Sequence, residues 1–430
     1  MIRPIIAGLA MIFAILAFAG VSPAAAEGQP GEDLEALVAR ALADNPEIKA
    51  GEERVSMAME KAGQAGSLDD PMLMLKVQNG LIRDPFAFDR EAETAKVIGV
   101  SQAIPFYGKR ELRRQGAGRD VDVEKLRLAE QKLELRRMVK EAWYGISAVD
   151  RALEVLEKNI GALDDLLHFS ETMYGVGKGL QQDVLKAQLE RSKMEEMRID
   201  LQQKRRSLTS VLNTLVYRPV ETVIPAIAES AIRPVTLDQE ALEKLAEANR
   251  PLLQAQAALL AKNQANRDLA DREIYPDFNL SLEYMQREQG EMSAGDDMYS
   301  VSLSFNLPVQ HGRRLAMIAE AGAENRMLHE EGQMLRNRIR LAVAESLARL
   351  ERNRRLAALY KDGLLGQAAS VLETTIASYQ AGKTEFMKVL DSQMALFNLE
   401  REYHDAVAEY QMQTAVLESL IGTALSGSLE

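Results

Sequence analysis

The sequence predicts a mainly α protein with a small β part, arranged as two tandem structural repeats. Three observations predict it. First, from Lys109 to about Met173 there is no proline, and the stretch is heavy in Leu, Glu, Arg, Lys, Gln and Ala. Second, chain breakers recur at a near-constant offset. Pro46 and Pro251 are 205 residues apart, as are Pro71 and Pro276, and Tyr174 and Tyr379. Breakers held in register over that distance indicate internal duplication. Third, short segments with a period of two sit between the helical stretches.

Length and composition narrow the classes. A chain of 430 residues is too long for one compact core and suits an elongated or two-lobed architecture. Residues 1–26 read as a cleaved signal peptide: Arg3 is basic, Ile5 to Val21 is apolar, and Ala24-Ala25-Ala26 offers a small-residue cleavage site. The alternative for this segment is an uncleaved anchor, because it approaches spanning length. There is no cysteine, so neither a disulfide framework nor an N-terminal lipid-bearing cysteine is expected. A formal charge of −12 argues against a nucleic-acid partner. No later apolar run is long enough for a transmembrane helix, so contact with a membrane would be made by strands.

Taken in order, Leu34 to about Gly66 reads as a helix interrupted at Asn45-Pro46 and stopped by Asp69-Asp70-Pro71. Strands are expected at about 72–78 and 96–104, joined by a charged loop holding Gly80 and Asp84-Pro85 and closed by Pro105-Phe106-Tyr107-Gly108. The long helix from Lys109 would span roughly 95 Å, which no globular domain encloses, so it belongs to a coiled coil or helical tube. After a turn at Gly175–Gly179 the chain returns as a helix to about Tyr217. Residues 33–217 form the first repeat, and 218–239, marked by Pro219, Pro225 and Pro234, form a linker. The second repeat is 240–422, followed by a tail at 423–430. Its strands are expected at about 277–285 and 299–307. Phe278, Leu280, Leu282 and Tyr284 alternate with Asn279, Ser281 and Glu283. Val301, Leu303, Phe305 and Leu307 alternate with serines and Asn306. This is the length and period of transmembrane β-strands, apolar side to lipid and polar side to an aqueous lumen. The last helix carries a seam through Val389, Gln393, Leu396, Glu400, Tyr403, Val407, Tyr410, Thr414, Leu417 and Ile421, spaced alternately by four and three.

Four strands cannot close a pore, and an open edge in lipid leaves backbone groups unsatisfied, so the barrel must be assembled from several chains. At this point the sequence resembles a known family. Gly99-Val100-Ser101-Gln102-Ala103-Ile104-Pro105-Phe106-Tyr107-Gly108-Lys109-Arg110, the two Tyr-x-x-Gly turns at Tyr174 and Tyr379, and Val389-Leu390-Asp391-Ser392-Gln393 are similar to TolC-type outer-membrane efflux factors. The likeness runs from about Asp33 to Gly422. The first motif, with Asp70-Pro71 upstream, looks most like the branch paired with heavy-metal pumps of the resistance-nodulation-division (RND) class. The resemblance implies a homotrimer with a 12-stranded barrel in outer-membrane lipid and a 12-helix periplasmic tunnel. It also implies docking to a periplasmic adaptor (a membrane fusion protein) and to an inner-membrane pump of RND type. The linker would belong to a band around the tunnel. The duct itself would be passive, with neither enzyme activity nor a cofactor.

The resemblance places the adaptor-docking tip and periplasmic gate at the two turns, around Tyr174, Gly177, Lys178, Tyr379, Gly382 and Lys383. Just beyond the second turn relatives narrow the tunnel with acidic residues. Asp391 matches one such position, whereas Lys388 stands where a second acid is common. In the first repeat Asp183 corresponds to Lys388 and Lys186 to Asp391, so pairs Asp183–Lys388 or Lys186–Asp391 are expected to hold a closed end. The bland reading is solvated charge on a hairpin exterior. Nineteen methionines include Met72, Met74, Met285, Met292 and Met298 near the strands. Thioethers suit soft cations, but methionine more often fills irregular packing, and lumen-side Met74 is the one speculative metal contact. His168, His311, His329 and His404 have no metal-ligand spacing.

Two other readings stay open from sequence alone: an outer-membrane duct for type I protein secretion, and a soluble periplasmic coiled-coil adaptor. Two complete repeats with strands of membrane length argue against the adaptor.

Overall fold

The computed structural model describes residues 33–236, 238–290 and 294–425. The expected signal peptide, Met292 and residues 426–430 of the tail lie outside the described residues. Each repeat contributes two short helices, two strands and a long helical hairpin. In the first repeat these are α1 (Leu34–Asp44), α2 (Pro46–Ala65), β1 (Met72–Gln78), β2 (Ala95–Ile104), α3 (Lys109–Gly175) and α4 (Gln181–Leu215). In the second they are α5 (Gln239–Asn249), α6 (Pro251–Arg272), β3 (Phe278–Arg287), β4 (Met298–Phe305), α7 (His311–Leu359), α8 (Leu365–Gln380) and α9 (Phe386–Ile421).

Local chemistry explains the breaks. Pro46 and Pro251 open α2 and α6 at the first helical position, where a missing N–H costs nothing. Asn45 caps α2, its Oδ1 accepting from Glu47 N at 2.8 Å. With 67 residues, α3 is about 100 Å long. It packs against α2, α4, α6 and α9, and α9 in turn packs on α7 and α8, whereas α4 barely touches α9. The long helices therefore lie side by side in the order α4, α3, α9, then α7 continued by α8.

The linker is an extended strap across one face of this helical wall. Arg205 of α4 donates to Ile224 O at 3.0 Å, and Asp150 of α3 accepts from Ile227 N at 2.9 Å. From α9, Gln411 donates to Ala231 O at 2.8 Å and the Tyr410 hydroxyl to Arg233 O at 2.7 Å. Strap residues Ile224 and Ile227 close a core with α1, α3 and α4. Ile232 and Val235 cover the matching core of α5, α7 and α9. A segment without regular structure is thus fixed by its backbone groups, which side chains of three helices satisfy.

The repeats superpose in their buried faces. Leu135, Val139, Ala142, Ile146 and Val149 of α3 are buried, as are Ile339, Val343, Ser346, Leu350 and Asn353 of α7, each pair 204 residues apart. At the turn the offset is 205, from Tyr174 to Tyr379. One residue is therefore gained inside the helix of the second repeat. Between α7 and α8 lies a five-residue π-helical turn, Tyr360–Leu364, which the sequence pattern did not reveal. Such a turn takes up one extra residue while the same face stays inward on both sides. Deleting Gly363, which has open space around it, should turn the π segment into continuous α-helix and leave assembly and thermal stability near wild type. Deleting Ala152 from α3, which has no such turn, should rotate everything beyond it by about 100° and abolish folding. Thermal melts of the two deletions check this.

Candidate functional site

The four strands form one antiparallel sheet in the order β1-β2-β3-β4. The register sets its faces, because directly opposed residues point the same way. One row runs Met74, Gly99, Glu283, Ser300; its neighbours are Met72, Ser101, Ser281, Ser302 and Lys76, Val97, Met285, Met298. The opposite face carries Leu73, Leu75, Val77, Ile98, Val100, Ile104, Phe278, Leu280, Leu282, Tyr284, Val301, Leu303 and Phe305. All but Phe278 of these are exposed in the single chain, an apolar surface that water would not tolerate at this extent. Leu307, placed on that row by alternation, instead follows the end of β4, though it too is exposed. Among the described residues neither β1 nor β4 has a partner on its outer edge.

Where the sheet joins the helical wall, a lysine is fully buried. Lys109 Nζ lies 2.9 Å from Asp277 Oδ1, 3.1 Å from Glu273 Oε2 and 2.9 Å from Tyr275 O. Asp277 also accepts from Phe106 N at 2.8 Å, and the Phe106 and Tyr275 rings stack with centroids 4.5 Å apart. Burial pushes the Asp277 carboxyl up, but the Phe106 N–H and Lys109 outweigh it and hold the group below the usual range. The entry to α3 is thereby tied to the exit of α6, so both strand–helix junctions act as one joint. Gly108 makes the turn possible: its φ is +89°, and a Cβ there would lie 2.4 Å from Arg272 Nη1. Sequence reading singled out Lys109 only as part of a motif. Its role needed Glu273 and Asp277, which lie more than 160 residues away.

At the far end the two turns share one geometry. Gly177 (φ +74°) and Gly382 (φ +68°) adopt the left-handed conformation. Lys178 N donates to Met173 O at 2.8 Å and Gly177 N to Tyr174 O at 2.9 Å. Lys383 N and Gly382 N do the same to Ser378 O and Tyr379 O, both at 2.9 Å. This is the Schellman closure, which explains a glycine three residues after each tyrosine. The tyrosines differ. Tyr174 is exposed, whereas Tyr379 packs edge-on to Phe169 at 5.5 Å and Phe386 at 5.7 Å. Phe386 and Leu390 are buried against α3 and α4, and Val389 is buried beside them in the chain.

The charges here do not pair within the chain as expected. Lys186 pairs with Glu190 at 3.1 Å. Among the described residues no ion pair joins Asp183 to Lys388 or Lys186 to Asp391, and Lys388 and Asp391 are both exposed. Asp183 is instead buried at the start of α4, close to Tyr379 and Glu385. Burial lifts its carboxyl above the usual range against a hydrogen bond from the Leu180 backbone, and the Glu385 charge adds to the rise. Burial and the Asp183 charge raise the Tyr379 hydroxyl. Among the described residues no group of three or more His, Asp or Glu is placed to hold a metal ion.

Two predictions follow from these geometries. Lys109→Met should cost about 3 kcal/mol, at the low end for one partner of a buried pair because Glu273 and Asp277 keep part of their water; denaturant unfolding in detergent measures it. For Asp183 the packed state binds its proton more tightly than the separated one. The contact of the two tips is therefore strongest below the ordinary carboxylate range and weakens as pH rises through the raised value. Protection of residues 379–390 from hydrogen exchange, taken relative to the intrinsic rate at each pH, should rise on acidification, and Asp183→Asn should remove that rise.

Comparison with known proteins bears on this architecture. The outer membrane efflux protein family profile matches residues 37–215 and 242–423. The cobalt-zinc-cadmium resistance protein CzcC of Cupriavidus metallidurans is 22% identical over 401 residues, covering 90% of each chain. The solved outer-membrane protein VceC from Vibrio cholerae aligns with a TM-score of 0.76 at 16% identity, over 91% of this chain and 96% of that one. The solved CusC channel aligns with a TM-score of 0.77 at 15% identity, over 92% and 93%.

Proposed function

The chain belongs to the outer membrane efflux protein family, and from that premise we propose that it is one third of a passive trimeric duct exporting heavy-metal ions. The observation that supports this best is the sheet with an apolar outer face and two unpaired edges. In lipid those edges require strands from other chains, and three copies supply twelve strands around a lumen lined by the serine-rich face. The helical wall asks for the same partners. Leu185, Leu189 and Ile199 on α4, and Leu359 and Val371 at its other flank, are exposed apolar residues on helices that have a neighbour on one side only. Three walls of four helices would bury them in a twelve-helix tunnel.

The cargo reading rests on similarity to CzcC and CusC and on the motif from Gly99 to Arg110. In this reading a periplasmic adaptor and an inner-membrane RND pump supply docking and energy. The tips at Tyr174–Lys178 and Tyr379–Lys383 meet the adaptor. Export of a protein substrate would use the same fold, but nothing in the chain favours it. Deleting the gene should raise sensitivity to zinc, cobalt, cadmium, copper or silver, with restoration by the intact gene. Unchanged tolerance to all five alongside a lost secreted protein would transfer the reading to secretion. Mass measurement in detergent should give three copies.

Lys388 and Asp391, exposed in the single chain, would face neighbouring protomers at the narrow end. Surface pairs contribute only about 0–1 kcal/mol each, but symmetry repeats them three times. Asp391→Ala and Lys388→Ala should each raise single-channel conductance in planar bilayers; wild-type conductance in both would leave these charges without a role in closure.

A further inference from the structure

We propose that the inner face of the strand sheet holds a transit site for a soft monovalent cation, Cu(I) or Ag(I), formed by the Met72 and Met74 thioethers and the Glu283 carboxylate. It rests on the reading above only in that this face lines the duct.

All four methionines of the described strands, Met72, Met74, Met285 and Met298, fall on the serine-rich face, and none falls on the lipid face. Within the single chain packing does not account for three of them, while Met285 is half-buried. Met72 is 71%, Met74 37% and Met298 48% exposed, so they fill no gap. On a water-lined wall a serine or asparagine would be better solvated. Gly99 places two of the donors together. A Cβ added there would lie 3.0 Å from Glu283 Cγ and 3.2 Å from Met74 Cε, so both side chains close over its bare Cα. Met72 stands two residues along the same strand face. Lys76 Nζ pairs with Glu283 at 3.8 Å, a long contact from a half-exposed lysine that a bound cation would displace. The other pair is blocked, because Arg287 Nη2 sits 2.8 Å from Met298 Sδ.

Two neutral thioethers with one carboxylate suit a soft monovalent ion such as Cu(I) or Ag(I); divalent zinc and cobalt bind well to thiolate or imidazole but poorly to a thioether. A site with so few donors binds and releases readily, as passage through a pore demands.

The test uses the full chain, purified in detergent, with Ag(I) alone as probe in equilibrium dialysis. Wild type should bind Ag(I) saturably, undisplaced by equimolar Zn(II). Met72→Leu/Met74→Leu should weaken binding about tenfold or more, and Glu283→Gln less, within the range lost with supporting groups of metal sites. Met327→Leu, which alters an exposed methionine on α7, should bind as wild type. Undiminished binding in both strand variants, or displacement by Zn(II), overturns the site. In cells the double variant should lose silver tolerance and keep zinc tolerance. If gene deletion changes no metal tolerance, the transport reading fails, while the dialysis result still decides whether the site exists.

Discussion

A peptide group in hydrocarbon must find its hydrogen-bond partner within protein, and this requirement shapes the chain. The sheet satisfies it internally across three ladders and fails at β1 and β4, its two outer edges. A soluble protein would cover such edges with charge, a bulge or a helix. Here the outer face is lined by leucine, valine, isoleucine and aromatics up to both edges, so the monomer has no environment that suits it alone. The same incompleteness recurs in the helical wall, where α4 and α8 keep bare apolar flanks. Sheet and wall demand partners on the same two sides, which is what tandem duplication delivers: each repeat adds two strands and one hairpin, and further copies continue the series.

The joint at Lys109 transmits this arrangement from one part to the other. A buried lysine is costly unless its donors are all used, and here two carboxylates and a carbonyl use them. Because Asp277 also accepts from Phe106 N, the strands cannot tilt relative to α3 and α6 without breaking a charged contact. The sheet and the helical wall are therefore held together at this end. At the tips the hairpins are unequal. Phe386, Val389 and Leu390 are buried, but the corresponding Gln181 and Leu185 in the first repeat are exposed and Val184 is half-buried. The second hairpin leans on the first within the chain, and the first is left to meet something outside it.

Much of this was legible in the residues. Proline-free length gave α3, alternation gave β3 and β4, and glycine three positions after tyrosine gave both turns, because each is a local signal read within a few residues. What escaped was non-local. The π turn at Tyr360–Leu364 leaves no mark of its own, and shows only when the buried faces of α3 and α7 are compared across 204 residues. The clamp at Lys109 and the closeness of Met74 and Glu283 depend on register between distant strands. The expected pairs of Asp183 with Lys388 and of Lys186 with Asp391 followed repeat equivalence. Equivalent positions in two hairpins need not face each other, and Lys186 found Glu190 one turn along its own helix.

The period of two in the strands gives adjacent residues different solvents. Leu282 lies on the apolar face and Glu283 on the serine-rich face, one peptide apart, so the two faces can change independently. Substitutions on the outer row alter burial and membrane stability. Those at exposed inner positions such as Met72 and Ser302 alter mainly the polar face, whereas Gly99, where a Cβ would lie 3.0 Å from Glu283 Cγ, and the buried Val97 leave no room for a larger side chain. Exposed positions of the inner face, such as Met72 and Met298, can thus change in chemistry without disturbing the outer row.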